Sequence, residues 1–245
     1  MPYYLPLCAS RQSLLPPVCR SCAWWQTTGS APRDPKTAGD MRRQWMTSVE
    51  ATWGSPGLLL AFDSSERGVP SGGAATTRAA APGANPKGAA APATVPAPSG
   101  RTVTASINYA PAAAVPRFRE LPFAPLPTGA VLLFCLKAAG DPGHTPAKRL
   151  LHKALDQLRQ RGVHEVYAVA VDTPGVDQNG RCEFFSLGFA EANGFVRVRD
   201  DGRRYLVRAD LRSLLSVISQ LQATVRRVLH IDPTPTPATW TRRDS

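Results

Sequence analysis

Residues 130–171 constrain the fold more than any other part of the chain. An apolar run at 130–137 (AVLLFCLK) leads into a glycine- and proline-rich turn, then an amphipathic helix, then a second apolar run at 163–171 (VHEVYAVAV). Both runs have the length and composition of buried strands. Between them Thr145 is placed to cap a helix with its hydroxyl. Pro146 then takes the first helical position, where its fixed φ helps and its missing N–H costs little. Leu150, Leu151, Ala154, Leu155 and Leu158 recur at helical spacing, and Gly162 stops the run. The free amides of such a helix start attract anions, and Lys148 and Arg149 add charge there. The turn therefore either holds a phosphate or only starts a helix.

The remaining chain supplies further elements of both kinds. Met41, Trp45, Val49 and Trp53 fall at steps of four before Gly54 and predict one face of an amphipathic helix. Residues 57–63 (GLLLAFD) and 101–109 (RTVTASINY) read as strands. Between them the stretch 71–100 is almost all Ala, Pro, Gly, Ser and Thr, with little to bury, and is expected to be disordered. Residues 183–193 predict a short helix closed by Gly194, and 195–199 with 204–211 a hairpin around Gly202. Leu214, Leu215, Ile218, Leu221, Val225, Val228 and Leu229 trace a last amphipathic helix, followed by a Pro- and Thr-rich tail. This mixture predicts an α/β sheet with helices on its faces.

Charge and cysteine usage narrow the classes of function. The 245 residues carry a net charge of +11, spread along the chain with clusters at 197–208 and at Arg226 and Arg227. Such a balance suits an anionic small ligand or nucleic acid equally. No nucleic-acid motif or aromatic–basic interleaving is present, which places nucleic acid last. No apolar run is long enough to span a bilayer, and the proline-broken start lacks the basic segment of a signal peptide, so a cytoplasmic protein is expected. Five cysteines argue against a disulfide framework. Cys19 and Cys22 form one CxxC pair, Cys8 makes at most a third ligand, and no metal site is expected. His144, His152, His164 and His230 show no ligand or triad spacing, and His152 reads as solvent-exposed on its helix.

The order of elements, the strand–loop–helix–strand unit at 130–171 and the junction Asn193-Gly194-Phe195 resemble the GNAT superfamily of acetyl-CoA-dependent N-acetyltransferases. Cys19-Arg-Ser-Cys22-Ala-Trp-Trp25, Trp53-Gly54, Tyr109-Ala-Pro111 and Val115-Pro-Arg117 are similar to an uncharacterised actinobacterial branch of it. The resemblance covers roughly residues 3–230 outside the low-complexity insert, and makes 3–8 the first strand. It implies a mixed, mostly antiparallel sheet with helices on both faces. Residues 1–66 would carry its N-terminal part, 67–100 the disordered insert, 101–230 the core with a C-terminal helix, and 231–245 a flexible tail.

The resemblance also implies where a cofactor would lie. The family's pyrophosphate loop, Gln/Arg-x-x-Gly-x-Gly/Ala, aligns with Pro142, Thr145 and Ala147, so only its last mark is kept and the loop is degenerate. Gly143, His144, Thr145, Ala147 and Lys148 would offer donors to the phosphates, and Leu136, Lys137 and Ala138 main-chain groups to the pantetheine. The family's tyrosine acid falls on Ala190, and an asparagine common in the family falls on Glu183. Glu183 is thus a candidate general base, or a first-turn glutamate facing the helix dipole. Tyr167 is a candidate proton donor, or a sheet-face tyrosine. Three readings stand: an acyltransferase acting on an amine of unknown identity; a GNAT-fold protein that has lost its cofactor and works through protein contacts, with 212–230 as a possible homodimer face; and a nucleic-acid-binding protein.

Overall fold

The computed structural model describes residues 2–63, 96–97, 101–138, 145–172 and 184–212. Contacts divide the chain after Leu211, and the sheet and its helices belong to the first unit. The expected helix at 212–230 apart from Arg212, the tail, and the insert apart from Pro96–Ala97 lie outside the described residues. Among the described residues no helix is long and apolar enough to cross a membrane.

Nine described strands form one sheet. In chain order the elements are β1 (Pro2–Pro6), α1 (Pro17–Arg20), α2 (Pro35–Thr52), β2 (Gly57–Asp63), β3 (Pro96–Ala97), β4 (Arg101–Pro111), β5 (Val131–Ala138), α3 (Thr145–Gln160), β6 (Glu165–Val171), β7 (Phe185–Ser186), α4 (Leu187–Glu191), β8 (Val196–Asp200) and β9 (Tyr205–Asp210). The sheet order is β1-β2-β4-β5-β6-β9-β8, with β3 beside β4 and β7 beside β6. β5–β6 and β6–β7 are parallel. The other pairs are antiparallel. The architecture is the expected one, a mixed and mostly antiparallel sheet. β3, inside the stretch expected to be disordered, pairs with Arg101 and Thr102.

Successive residues Leu58, Leu59, Leu60 and Ala61 are all fully buried, so both faces of the sheet centre are covered. Since alternate residues point to opposite faces, Leu59 and Ala61 mark one face. Their cluster holds Met46 of α2 and Leu7, Leu14 and Leu15 of the N-terminal segment. α3 covers the other face, where the Tyr109 hydroxyl of β4 donates to Gln157 Oε1 at 3.4 Å. Burial pushes that tyrosine up to about 12, against the pull of Arg161.

α2 starts as its sequence dictates. Asp34 accepts from the Thr37 amide at 2.7 Å, and Pro35 follows it. The buried stripe, however, is Ala38, Arg42, Met46 and Val49, while Met41 is exposed and Trp45 and Trp53 are half-buried. Of the expected line, Met41 alone is exposed, while Val49 is buried and Trp45 and Trp53 pack against the core at its edge. The predicted helix at 183–193 is also shorter: Phe185 and Ser186 pair with Ala170 and Val171, and α4 begins only after Ser186, whose Oγ accepts from the Phe189 amide at 3.4 Å.

Candidate functional site

The site is a parting of two strands. β5 and β6 pair at Val131–Val166, Leu132–Tyr167 and Leu133–Ala168 only. Beyond this β6 takes β7 as its partner, whereas β5 continues along β4 as far as Ala138–Ala105. A bulge marks the parting. Ser106 faces Lys137 and Asn108 faces Phe134, which puts an extra residue in β5. Cys135 there has φ 53°, a left-handed conformation that a non-glycine residue seldom adopts. A bulge bends its strand and raises the local twist, which turns the end of β5 away from β6. Burial changes at the same point: Val131–Phe134 are buried and residues 135–138 are half-buried.

Of the sequence-predicted cofactor residues, three lie at this parting and three in the first turn of the following helix. Leu136, Lys137 and Ala138 form the diverging end of β5. Thr145 opens α3, Ala147 is buried beneath its first turn, and Lys148 is exposed. Gly143 and His144 lie outside the described residues, and so does Glu183. Ala190, at the family's tyrosine position, is buried in α4.

Tyr167 sits opposite Leu132, in the paired part of the strands. Its hydroxyl donates to Glu165 Oε2 at 2.8 Å, and Glu165 Oε1 accepts from Arg208 at 3.0 Å. Burial, then the bond to Glu165, raises the phenol above its usual range. This is the environment of a sheet-face tyrosine tied into an ion pair.

An aromatic wall stands on the α2 face beside the parting, and no catalytic motif in the sequence points to it. The Phe134 ring lies 5.4 Å from Trp25 and 5.8 Å from Trp45. Phe184, just before β7, lies 5.8 Å from Trp24 and 6.0 Å from Trp25. Arg117 stacks 4.8 Å above Trp24 and donates from Nε to its carbonyl at 3.1 Å. The Trp24–Trp25 and Val115–Arg117 segments, which in sequence mark only a branch likeness, thus meet in space. So do the other two: Trp53 packs 6.1 Å from Tyr109, and Arg161 lies over both rings.

His152 is exposed on α3 but has a partner. Its Nε2 lies 2.9 Å from Asn193 Oδ1, and Asn193 Nδ2 donates to the Phe189 carbonyl at 2.7 Å. That second bond fixes the amide, so the ring donates from Nε2 and clasps α3 to the end of α4. Desolvation, partly opposed by the Asn193 bond and reinforced by Lys148, holds this histidine below its ordinary value of 6.5. A depressed histidine binds more protons unfolded, so its stabilising contribution is present above the ordinary value and is lost as pH falls through the folded one. Melting temperatures measured from neutral pH to about pH 5 should fall less steeply in His152→Gln than in the parent.

Among the described residues no group of three side chains is placed to hold a metal ion, and no disulfide joins Cys8, Cys19, Cys22 and Cys135. No family model matches the chain, and no curated protein matches it. Solved structures with a similar arrangement include the PaiA N-acetyltransferase of Thermoplasma acidophilum in complex with coenzyme A. It is 13% identical, with 86% of this chain and 99% of that one covered, at a TM-score of 0.42. An N-acetyltransferase of Staphylococcus aureus Mu50 is 12% identical over 86% of this chain and 99% of its own, at 0.43. The ribosomal-protein-alanine N-acetyltransferase of Brucella melitensis is 13% identical over 85% and 99%, also at 0.43. The strand order itself defines the architecture: a mixed α/β protein whose open, mostly antiparallel sheet parts between β5 and β6 at the end of β5 that leads into α3.

Proposed function

We propose that the chain is an acetyl-CoA-dependent N-acyltransferase of GNAT type that transfers its acyl group directly to an amine. The parting of β5 from β6 beyond Leu133, bent open at Cys135 and followed by the first turn of α3, is the observation that carries this reading. A helix start and a diverging strand end suit the two halves of such a cofactor, an anionic pyrophosphate and an amide-bearing arm. Leu136, Lys137 and Ala138 would run beside the arm. The amides of Ala147 and Lys148, with Gly143, His144 and Thr145, would face the phosphates. When bound, the cofactor supplies an activated thioester. Glu183, the residue before Phe184 of the aromatic wall, is assigned as the base that takes the amine proton. Tyr167, already engaged with Glu165, is assigned the lesser part of bracing the paired end of the strands.

Calorimetric titration with acetyl-CoA tests this directly. Saturable binding is expected, weakened by removal of the 3′-phosphate and roughly tenfold, or about 1.4 kcal/mol, by Lys148→Glu. Absence of binding at millimolar acetyl-CoA would instead leave the protein-contact reading of the fold, which the lost glycine of the loop favours.

A further inference from the structure

Arg42 is a buried cation with no counterion among the described residues. Its side chain is buried, only 1% exposed, at the centre of α2. One terminal nitrogen donates to the Cys22 carbonyl at 3.2 Å and the other to Asn108 Oδ1 at 2.9 Å. Its Nε has no partner, and no carboxylate pairs with it among the described residues. A guanidinium keeps its charge under all ordinary conditions. Two neutral oxygens satisfy some of its hydrogens but leave the charge uncompensated, and taking such a charge out of water is unfavourable.

The surroundings are donors too. Asn108 Nδ2 and Trp25 Nε1 are buried without partners among the described residues. Asn108 lies directly opposite Phe134 across the β4–β5 ladder, and the Phe134 ring packs on Trp25. Arg42, Asn108 and Trp25 are therefore linked through Phe134 as neighbours on one sheet face at the level of the β5 bulge, and each carries an unpartnered donor. Waters can serve neutral donors in such a place, but only an anion balances the cation. One buried cation calls for one monoanion, and the planar fork of arginine matches the two oxygens of a carboxylate.

We infer that Arg42, Asn108 and Trp25 hold the carboxylate of the acceptor, which makes the substrate class a small amine bearing a carboxylate, of amino-acid type. This rests on the acyltransfer reading for its amine and on the patch alone for its carboxylate. Phe134, Trp24, Trp25 and Phe184 would cover the rest of the molecule, between the patch and the parting strands. Because the patch is closed, entry requires the segment carrying Cys22 and Trp25 to lift from α2.

The common amino acids and their carboxamides, titrated at millimolar concentration against the full chain with and without acetyl-CoA, provide the test. Tryptophan fluorescence is read, since two tryptophans stand at the patch. At least one amino acid should bind saturably, with its carboxamide at least tenfold weaker. Arg42→Met should abolish that preference while acetyl-CoA calorimetry stays unchanged. Asn108→Asp, which gives Arg42 an internal counterion, should abolish it as well in a chain that stays folded. Equal binding of acid and amide, preference surviving in either variant, or acetyl-CoA binding with no amino acid bound would overturn the inference. A carboxylate preference without acetyl-CoA binding would uphold the patch and remove the acyltransfer reading.

Discussion

Replacing Phe134 by alanine is expected to cost about 3–5 kcal/mol, the range for a large buried aromatic. The residue is fully buried, and its ring meets Trp25 of the N-terminal segment and Trp45 of α2. It also belongs to the buried cluster that includes Ala110, Leu132, Tyr167, Val169 and Leu206, and its ring ties β5 to the N-terminal segment and to α2. Its backbone lies next to the bulged Cys135, where the strand is already bent and has little freedom to close over a cavity. Chemical denaturation of the variant should show the loss as a lower midpoint with an unchanged slope. A loss below about 1 kcal/mol would mean that the rings relax into the space, and that the wall beside the parting is not fixed as described.

The second large effect comes from the smallest residue. Gly57 opens β2 opposite Asn108, and a Cβ placed there would run into the backbone carbonyl of Ile107 and come within 3.0 Å of the Leu7 side chain. The carbonyl belongs to the sheet ladder and cannot swing aside. Gly57 is also pinned from its other side, since its own carbonyl accepts from the Leu7 amide and from Ser55 Oγ, each at 2.9 Å. Gly57→Ala should therefore separate β2 from β4 and destabilise by roughly 2–3 kcal/mol, as overpacking does. Gly188→Ala is the control. It lies in α4, nothing stands within 4 Å of the added carbon, and helix propensity should make the change neutral or mildly stabilising. Equal midpoints for the two variants would show that β2 and β4 do not approach as closely as described.

Local chemistry explains which parts of this fold could be read in advance. α3 was legible for most of its length because Pro146, the leucine spacing and Gly162, which takes φ 79°, act within a few residues of one another, although Thr145, read as its cap, is its first residue. The hairpin of β8 and β9 was legible for the same reason, through Asp201 and Gly202. The parting of β5 from β6 was not. The run VLLFCLKA is apolar apart from Lys137, and the residue that takes the left-handed turn is a cysteine rather than a glycine. Arg42 was hidden because the tryptophans at steps of four mark a neighbouring stripe of α2, and because an arginine in a helix ordinarily faces solvent. The aromatic wall combines residues from both ends of the first unit, Trp24 and Phe184 among them, and pairing of that kind has no local signature.

Hydrogen exchange, followed residue by residue with and without acetyl-CoA, tests the central claim most directly. Added acetyl-CoA is predicted to slow exchange at the diverging end of β5, Leu136 to Ala138, and at the first amides of α3, Ala147 and Lys148, while β1 and β2 remain as they were. Unchanged exchange at both of the first two places in saturating acetyl-CoA would contradict it.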